Sequence, residues 1–220
     1  MDYNNFSSEF NATRQNMWPE FSDFEKFLKN GQRILDLGCG NARIINLLKN
    51  YEIEYIGCDI SGSLLNYAKK QELGKITHAD FVEGNMLKLH FKESSFDIIF
   101  LIASFHHLRT KKQRTELLKK MRDWIKPDGI IIMTNWNLWN DIYFKKYFKY
   151  LFDLSYKKTL KDFIVPFKDS TGRSLGKRFY HAFTLKEIEK LVKNTGLESI
   201  KNELSQDKRN ILTYLKKSDF

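Results

Sequence analysis

The sequence is organised around one stretch, Ile34-Leu35-Asp36-Leu37-Gly38-Cys39-Gly40-Asn41-Ala42. A short apolar run ends in an acidic residue, and two glycines follow it before a helical pattern begins. Glycine allows the backbone to turn sharply and to approach a ligand where a Cβ would collide with it. The stretch therefore predicts a strand, a tight ligand-binding turn and a helix, in that order.

Outward from this stretch, short β-branched or aromatic runs alternate with helical patterns, which is typical of parallel strands joined by crossover helices. Five strands are predicted at 33–37, 55–58, 79–82, 96–102 and 130–134, and two more at 198–204 and 210–216. Helices are predicted at 42–49, 61–71 and 111–125, the last stopped by a Lys-Pro-Asp-Gly turn at 126–129. This pattern indicates an α/β, Rossmann-like fold with a mostly parallel seven-stranded sheet, helices on both of its faces and an insertion after the fifth strand.

A chain of 220 residues, 42% of them apolar, predicts one domain (1–220) with one substantial core. Its amino-terminal helical segment (1–30) would lay a helix over 18–28 across the sheet, and a cofactor-binding core would occupy 31–134. Residues 135–183, crowded with Tyr, Phe, Trp and Lys, interrupt the pattern and form a candidate substrate lid on the substrate side. The carboxy-terminal part (184–220) would start with a helix whose capping box pairs Thr184 with Glu187.

The charge and the cysteines narrow the class of protein. The 37 Lys and Arg against 27 Asp and Glu give a net charge of +10, which suits a polyanionic partner but also follows from A/T-rich coding sequence. No stretch approaches the roughly 20 apolar residues that span a bilayer, and residues 1–11 are unlike a signal or transit peptide. A cytoplasmic protein without membrane contact is expected. Cys39 and Cys58 form no CxxC pair, so buried thiols are expected and no metal site.

Two acidic residues distinguish this glycine turn from a turn that binds a pyrophosphate. Asp36 precedes the glycines, where it would repel a pyrophosphate and suit the ammonium and sulfonium groups of S-adenosylmethionine. Asp59 ends the second strand, about 20 residues further on, where a carboxylate can accept hydrogen bonds from both ribose hydroxyls. The alternative is an ordinary tight turn with a surface Asp, but the order of strand, acidic glycine turn, helix, strand and Asp favours the methyl donor.

In these motifs, residues 32–134 resemble the class I S-adenosylmethionine-dependent methyltransferases. The resemblance implies cofactor-binding roles for Asp36, Gly38, Gly40, Asp59, Gly84, Asn85, Met86 and Ala103. In that family the residues at the Gly84 segment flank the adenine, and Ala103 would line the methionine end. The family commonly has Asp where Asn85 stands, so the amide oxygen is expected to accept the bond from the adenine amino group, with lower affinity.

The methyl acceptor would lie at the carboxyl ends of the strands, beside the donor. Ala103-Ser104-Phe105-His106-His107-Leu108 leaves the fourth strand there. Two adjacent histidines could orient a substrate or remove a proton. Because His-His-Leu after this strand occurs in many small-molecule methyltransferases, it indicates the edge of an active site and does not identify the acceptor.

Two further segments are more specific: 6–14 (Phe-Ser-Ser-Glu-Phe-Asn-Ala-Thr-Arg) with Trp18-Pro19, and 178–183 (Arg-Phe-Tyr-His-Ala-Phe) with Val165-Pro166 upstream. Together they resemble the tRNA wobble-uridine carboxymethyl methyltransferases, the eukaryotic tRNA methyltransferase 9 and AlkB-homologue 8 type. That family has TR…WP, Ala-x-x-His-His and RYYH segments in this order. The combined resemblance spans nearly the whole chain, although each motif is short and the insertion here is compact.

This resemblance implies methylation of the carboxylate of 5-carboxymethyluridine, at the anticodon wobble position, to the methyl ester. Transfer to an anion needs little acid or base help, so positioning would supply most of the rate. Candidate catalytic residues are His106, His107, Arg14 and Arg178, and candidate substrate-binding residues are Trp18, Tyr180 and His181. Either Arg could hold the carboxylate with its guanidinium fork, and Trp18, Tyr180 or Trp136 could stack an unpaired base.

The implied partners are the tRNA anticodon loop, held by the basic surface, and a small zinc-binding activator subunit known from the eukaryotic family. Alternatives remain for each assignment. Either Arg could form a surface ion pair or a strand-end cap, and the aromatic residues could belong to the core. The whole chain could instead be a small-molecule methyltransferase acting on a quinone, lipid precursor or metabolite acid, or a non-catalytic subunit, against which the intact acidic turn argues.

Overall fold

A computed structural model describes residues 7–14, 18–147, 159–168 and 171–218. Its centre is a seven-stranded sheet in the order β3-β2-β1-β4-β5-β9-β8. The strands are β1 (Arg33–Leu37), β2 (Glu54–Asp59), β3 (His78–Glu83), β4 (Phe96–Ile102), β5 (Ile125–Trp136), β8 (Leu197–Leu204) and β9 (Asn210–Lys217). The first five are parallel, and β9 is antiparallel to both of its neighbours. This confirms the predicted class I methyltransferase fold, whose strand order reverses between β1 and β4.

Helices cover both faces of the sheet. One face packs against α4 (Lys111–Trp124) and α6 (Leu185–Val192), and the other against α2 (Ile45–Leu48) and α3 (Gly62–Ala68). Buried aliphatic side chains from the strands form the two cores, which accounts for the near-continuous apolar runs in the central strands. Among the described residues, no helix is long and apolar enough to cross a membrane.

The amino-terminal helix differs in kind from the prediction. Short α1 (Ser7–Ala12) is followed by a 3-10 helix at Pro19–Phe27, not by an α-helix over 18–28. Phe21, Phe24 and Phe27 recur every third residue, which matches the three residues per turn of a 3-10 helix. Phe21 and Phe24 are buried, and Phe24 packs against Phe100 and Tyr214 of the sheet, so the predicted position across the sheet is correct.

Two predicted crossover helices are too long, and the segment between α4 and the fifth strand differs from the prediction. The first crossover helix is only Ile45–Leu48, because Gly38 to Ile44 is taken up by the ligand-binding turn and its continuation. The second starts after Ser61, whose side chain accepts the backbone N–H of Leu64. The predicted turn at 126–129 is wrong, because these residues belong to β5, which starts at Ile125; they form an irregularity where the ladder passes from Phe96–Ile125 directly to Ile98–Ile130.

The insertion contains regular structure. It holds α5 (Asp141–Tyr147) and an antiparallel pair, β6 (Asp162–Lys168) and β7 (Ser174–His181), which we call the hairpin. Parts of the predicted lid, 148–158 and 169–170, lie outside the described residues. Hairpin residues Phe163, Val165 and Tyr180 form a small core of their own with Leu138.

Candidate active site

A cavity of about 310 Å³ lies at the carboxyl ends of the central strands, where the strand order reverses. Ligands of open α/β sheets bind at this point of the fold. Every predicted cofactor-binding residue lines the cavity, and so do Arg14, Trp18, His106, His107, Trp136, Arg178 and Tyr180. The structure therefore brings all the predicted site residues together except His181.

The glycine turn after β1 forms one wall of the cavity. Gly38 has a φ of +77°, and a Cβ built on it would lie 2.6 Å from the Cβ of Ser104. Gly40 has a φ of +57°, and the ring of Phe10 packs 3.4 Å from its corresponding position. Both glycines therefore have a positive φ, and at Gly38 a side chain would also collide with Ser104, while the close approach to a ligand stays a prediction.

Asp36 is buried at the end of β1, and only one of its two carboxylate oxygens has a hydrogen-bond donor among the described residues. Its Oδ2 accepts a 3.0 Å hydrogen bond from the hydroxyl of Tyr55, whereas no described residue donates to Oδ1. Burial raises the pKa of Asp36 to about 7, against the lowering effect of the Tyr55 bond, and the nearby Asp59 raises it further. A buried carboxylate oxygen without a donor is costly, and a ligand ammonium group would satisfy it.

Asp59 joins the turn to the end of β2. One carboxylate oxygen accepts the N–H of Gly40 and the other that of Ser61, both at 2.9 Å. Burial raises the pKa of Asp59, and these backbone bonds oppose the rise. Each oxygen keeps a second lone pair, so the predicted bonds to ribose hydroxyls remain available, while Asp59 also fixes the glycine turn.

The segment after β3 forms the adenine side of the predicted site. Gly84 donates its N–H to the carbonyl of Asp59 at 2.8 Å, which holds the segment against the end of β2. The side-chain oxygen of Asn85 accepts the N–H of Leu87 at 2.9 Å. The amide oxygen that was expected to bind the adenine amino group is therefore already engaged through one lone pair, which makes Asn85 a local turn former as well.

Ala103 stands at the end of β4 with a φ of +50°. A residue with a Cβ seldom adopts this conformation. The N–H of Ala103 donates to both the carbonyl and the hydroxyl of Thr134 on β5, at 3.0 Å each. This bifurcated bond holds the backbone in the turn that starts the His-His segment.

The two histidines form a short 3-10 helix at Phe105–His107. Nδ1 of His106 accepts the N–H of Trp136, so its hydrogen lies on Nε2, which has no acceptor among the described residues. Nδ1 of His107 faces the carbonyl of Phe179 at 2.7 Å and must be the donor, since a carbonyl only accepts. Burial lowers the pKa of His106 well below its usual value and that of His107 to about 4, so both rings are neutral at pH 7.

Arg178 brings a buried guanidinium to the acceptor side. It lies on β7, is 6% exposed, and stacks its guanidinium over the rings of Phe167 (4.7 Å) and Tyr180 (5.3 Å). Its Nε has no hydrogen-bond acceptor, and no ion pair joins it to a carboxylate in the part of the chain that the structure describes. A buried cation without a counter-charge is destabilising, so an anionic ligand is the natural occupant of this end of the cavity.

Arg14 lies at the donor side instead. Its carbonyl accepts a bond from the Asn41 side chain next to the glycine turn, and its guanidinium lies 4.8 Å from the ring of Phe10. Of the two predicted carboxylate-binding arginines, Arg178 is therefore the better placed for the acceptor.

Other side chains already cover part of the ring surface of each aromatic residue that was predicted to stack a base. The Trp136 ring lies nearly parallel to the rings of Tyr143 and Tyr180, with interplanar angles of 13° and 14°, so these contacts already occupy part of its stacking surface. Tyr180 is buried and has one face on Trp136. Trp18 carries the Arg43 guanidinium 4.1 Å above its ring while it lines the cavity. Trp136 is half-buried and lines the cavity, so its stacking role, like that of Trp18, stays a prediction.

His181 does not line the cavity. Its ring is buried between Asp162 and Glu187, at 2.7 Å and 2.8 Å from their carboxylate oxygens. The predicted capping box is also only half formed, since Thr184 accepts the N–H of Glu187 while the Glu187 carboxylate points to His181. His181 therefore attaches the hairpin to α6, outside this cavity, and its substrate-binding role stays a prediction.

Sequence reasoning missed Tyr55, Arg43 and Arg109. Tyr55 places a hydroxyl in an otherwise apolar strand next to β1, which is a detectable signal for a partner of Asp36. Arg43 follows the glycine turn directly, and burial together with Arg14 lowers its pKa to about 10. Arg109 lines the acceptor end but has no distinguishing pattern in the sequence.

The residues of this cavity fit S-adenosylmethionine. The Asp36 oxygen that has no donor among the described residues matches a ligand with an ammonium group, and Asp59 lies where a ribose is held in related folds. The reversal of strand order places these groups beside the acceptor residues, as a group transfer requires.

Comparison with known proteins agrees with this geometry. Residues 35–133 match the family described as methyltransferase domain. The chain is 32% identical over 136 residues to a tRNA (carboxymethyluridine(34)-5-O)-methyltransferase of Arabidopsis thaliana, covering 61% of this chain and 31% of that protein. The matches span only between 19% and 31% of the length of the first curated relatives.

Solved structures share the fold. A SAM-dependent methyltransferase from Methanosarcina mazei aligns with a TM-score of 0.68 and 23% identity, covering 91% of this chain and 96% of the other. A complex between the Trm112 methyltransferase activator of Haloferax volcanii and a candidate methyltransferase aligns with a TM-score of 0.72 and 12% identity, covering 100% and 97%. Residues 35–133 of this chain therefore match the methyltransferase-domain family, and the chain has the class I S-adenosylmethionine-dependent methyltransferase fold.

Proposed function

We propose that the protein is an S-adenosylmethionine-dependent tRNA methyltransferase that converts the carboxylate of 5-carboxymethyluridine, at the wobble position of the anticodon, to its methyl ester. The observation that carries the proposal is the buried Arg178 guanidinium at the acceptor end of the cavity, which forms no ion pair with any residue that the structure describes. A carboxylate would pair with it, and bidentate Arg–carboxylate pairs are among the strongest recognition contacts.

S-adenosylmethionine is the cofactor of this domain; when bound, it supplies a methyl group on a positively charged sulfur. Asp36 would hold its ammonium group, Asp59 its ribose hydroxyls, and Asn85 and Met86 would flank its adenine. Gly38 and Gly40 leave the room that these contacts need.

The state of the histidines favours an anionic acceptor. A carboxylate attacks with an existing lone pair and gives up no proton, whereas an amine or hydroxyl acceptor needs a base. His107, with a pKa of about 4, is a weak base at pH 7, and the hydrogen of His106 lies on the nitrogen that has no partner. We therefore assign both histidines to orienting the acceptor, with His106 as a hydrogen-bond donor to it.

The nucleic-acid part of the proposal is supported by the net charge of +10 and by the similarity to the Arabidopsis enzyme. We propose that the anticodon loop enters at the acceptor end and that the protein acts in the cytoplasm. We also propose a small zinc-binding activator subunit as a partner, on the basis of the resemblance and of the shared fold with the Haloferax complex. Co-purification with a tagged activator from the same organism tests this partner, and a chain that stays alone in the presence of the activator refutes it.

The decisive assay uses radiolabelled donor with tRNA that either carries or lacks carboxymethyluridine. Label in the carboxymethylated tRNA alone, released by mild base, identifies the ester. Transfer of label to quinones or metabolite acids but not to tRNA would establish the small-molecule alternative.

A matched pair of variants then tests the role of Arg178. Arg178→Gln should lower kcat/KM for the carboxymethylated tRNA by about a hundredfold, because truncating one partner of a buried charge pair costs about 2–5 kcal/mol. The donor Kd should be unchanged. Lys177→Gln, one residue earlier on β7 and exposed, removes the same charge and should retain near-normal activity. Equal activity of the two variants would remove Arg178 from the acceptor site.

A further inference from the structure

A second, open cleft of about 690 Å³ lies next to the active-site cavity. It is bounded by the starts of α4 and α6 and by residues just before the hairpin. Arg109 lines both the cavity and this cleft, so the two spaces meet at its side chain. The cleft is therefore positioned to receive whatever continues from a ligand in the active site.

The cleft is strongly basic. Its lining includes six cationic side chains: Arg109, Lys111, Arg114, Lys161, Lys186 and Lys190. Glu187 is the one acidic residue among the described residues that line it, and it is already paired with Lys161 at 2.7 Å and with His181 at 2.8 Å. Burial would raise the pKa of Glu187, but the hydrogen bonds from His181 and Lys161 prevail and lower it to about 2. Arg114 also lies 3.9 Å from Glu187, whereas Lys111, Lys186 and Lys190 form no ion pair with any residue that the structure describes.

The surrounding structure adds to this field. Thr110 and Thr184, the N-caps of α4 and α6, both line the cleft, so two helices direct the positive ends of their dipoles toward it. Leu160 also lines the cleft and is 77% exposed, which offers an apolar contact beside the charges. Cations combined with one apolar surface suit a strand of nucleic acid, whose phosphates alternate with sugars and bases.

We propose that this cleft binds the phosphates of the RNA strand that continues from the nucleotide in the active-site cavity, with Arg109 holding the phosphate between the two. The inference rests on the proposed tRNA substrate and adds the path of the strand. Binding here is independent of the base modification, because phosphates carry no sequence information.

The test measures the Kd of an unmodified anticodon stem-loop RNA at several salt concentrations. The test variant combines Lys111→Gln with Lys190→Gln, which are exposed side chains of the cleft on α4 and α6. The control variant combines Lys119→Gln with Lys193→Gln, on α4 and at the end of α6, which remove the same charge outside the cleft. The test variant should bind about tenfold more weakly, and the slope of log Kd against log salt should fall by about 1.5. The control should remain close to the unmodified protein in both.

Equal Kd and slope in the test and control variants would overturn the cleft as an RNA site, and so would equal weakening in both, since only net charge would then matter. Competition by polyglutamate as effective as that by RNA of equal charge would reassign the cleft to an acidic protein. The outcome is separable from the proposed function. Cleft-dependent RNA binding without ester formation refutes only the methyl acceptor, and ester formation without cleft dependence refutes only this strand path.

Discussion

Replacing Asp36 by Asn should make the protein without its donor more stable, and increasingly so as the pH rises. Burial raises the pKa of Asp36 from 3.8 to about 7, so between these values the folded state keeps a proton that the unfolded chain has released. Ionisation therefore costs stability progressively from pH 3.8 upward, and the cost is complete above pH 7. The rise of the pKa from 3.8 to about 7 corresponds to a loss of about 4 kcal/mol in the free energy of unfolding, of which about 3 kcal/mol develops between pH 5 and pH 8.

Urea unfolding of the two proteins at pH 5 and pH 8 measures this difference. His106 and His107 also titrate in this range, with lowered pKa values and hence the opposite sign, but they are common to both proteins and cancel in the comparison. The advantage of D36N should grow by about 3 kcal/mol from pH 5 to pH 8, while its donor binding is lost. Parallel stability profiles would refute the claim that the Asp36 carboxylate is held at an energetic cost for a cationic ligand.

Three further outcomes are expected. Asp59→Ala should weaken donor binding by about 1–3 kcal/mol through lost hydrogen bonds, and unchanged binding by calorimetry would contradict its assignment. Gly38→Ala should abolish donor binding and destabilise the fold because its Cβ would meet Ser104, whereas Gly31→Ala, with a similar φ of +79° but open space, should bear only the conformational strain and bind normally. His107→Gln should make the protein less sensitive to acid. The pKa of His107 in the folded protein, about 4, lies below that of a free His, so the stability of the unmodified protein falls by up to about 3 kcal/mol as the pH drops from about 6.5 toward 4. Equal dependence of thermal stability on pH in the two proteins would contradict this expectation.

The sequence predicted the parallel core well because two independent signals coincide there. Buried strands appear in the sequence as apolar runs, and two of them carry an acidic residue at or next to their carboxyl end, Asp36 in β1 and Asp59 in β2. The predicted strand 33–37 agrees with β1 at both ends, and 96–102 agrees with β4. The acidic residue before the glycines was sufficient to choose a methyl donor over a pyrophosphate.

Two features, the type of the amino-terminal helix and the surroundings of His181, could not be predicted from the sequence, each for a local physical reason. The three-residue spacing of Phe21, Phe24 and Phe27 fits both a loose α-helix and a 3-10 helix, and only packing on the sheet selects the second. His181 reads in sequence like its neighbours Arg178 and Tyr180, but it alone meets carboxylates from two other elements. Such long-range partners leave no trace in the spacing of residues.

The attachment of the hairpin has a consequence for how acceptor specificity can change. The predicted donor-binding residues follow strands of the large sheet, whereas Arg178 and Tyr180 belong to the hairpin. Two hydrogen bonds attach the hairpin to its surroundings: His181 bonds to Glu187 of α6, and the carbonyl of Phe179 accepts from His107. Under the proposed function, we therefore expect that exchanging residues within the hairpin while keeping these two contacts changes the methyl acceptor and leaves donor binding intact.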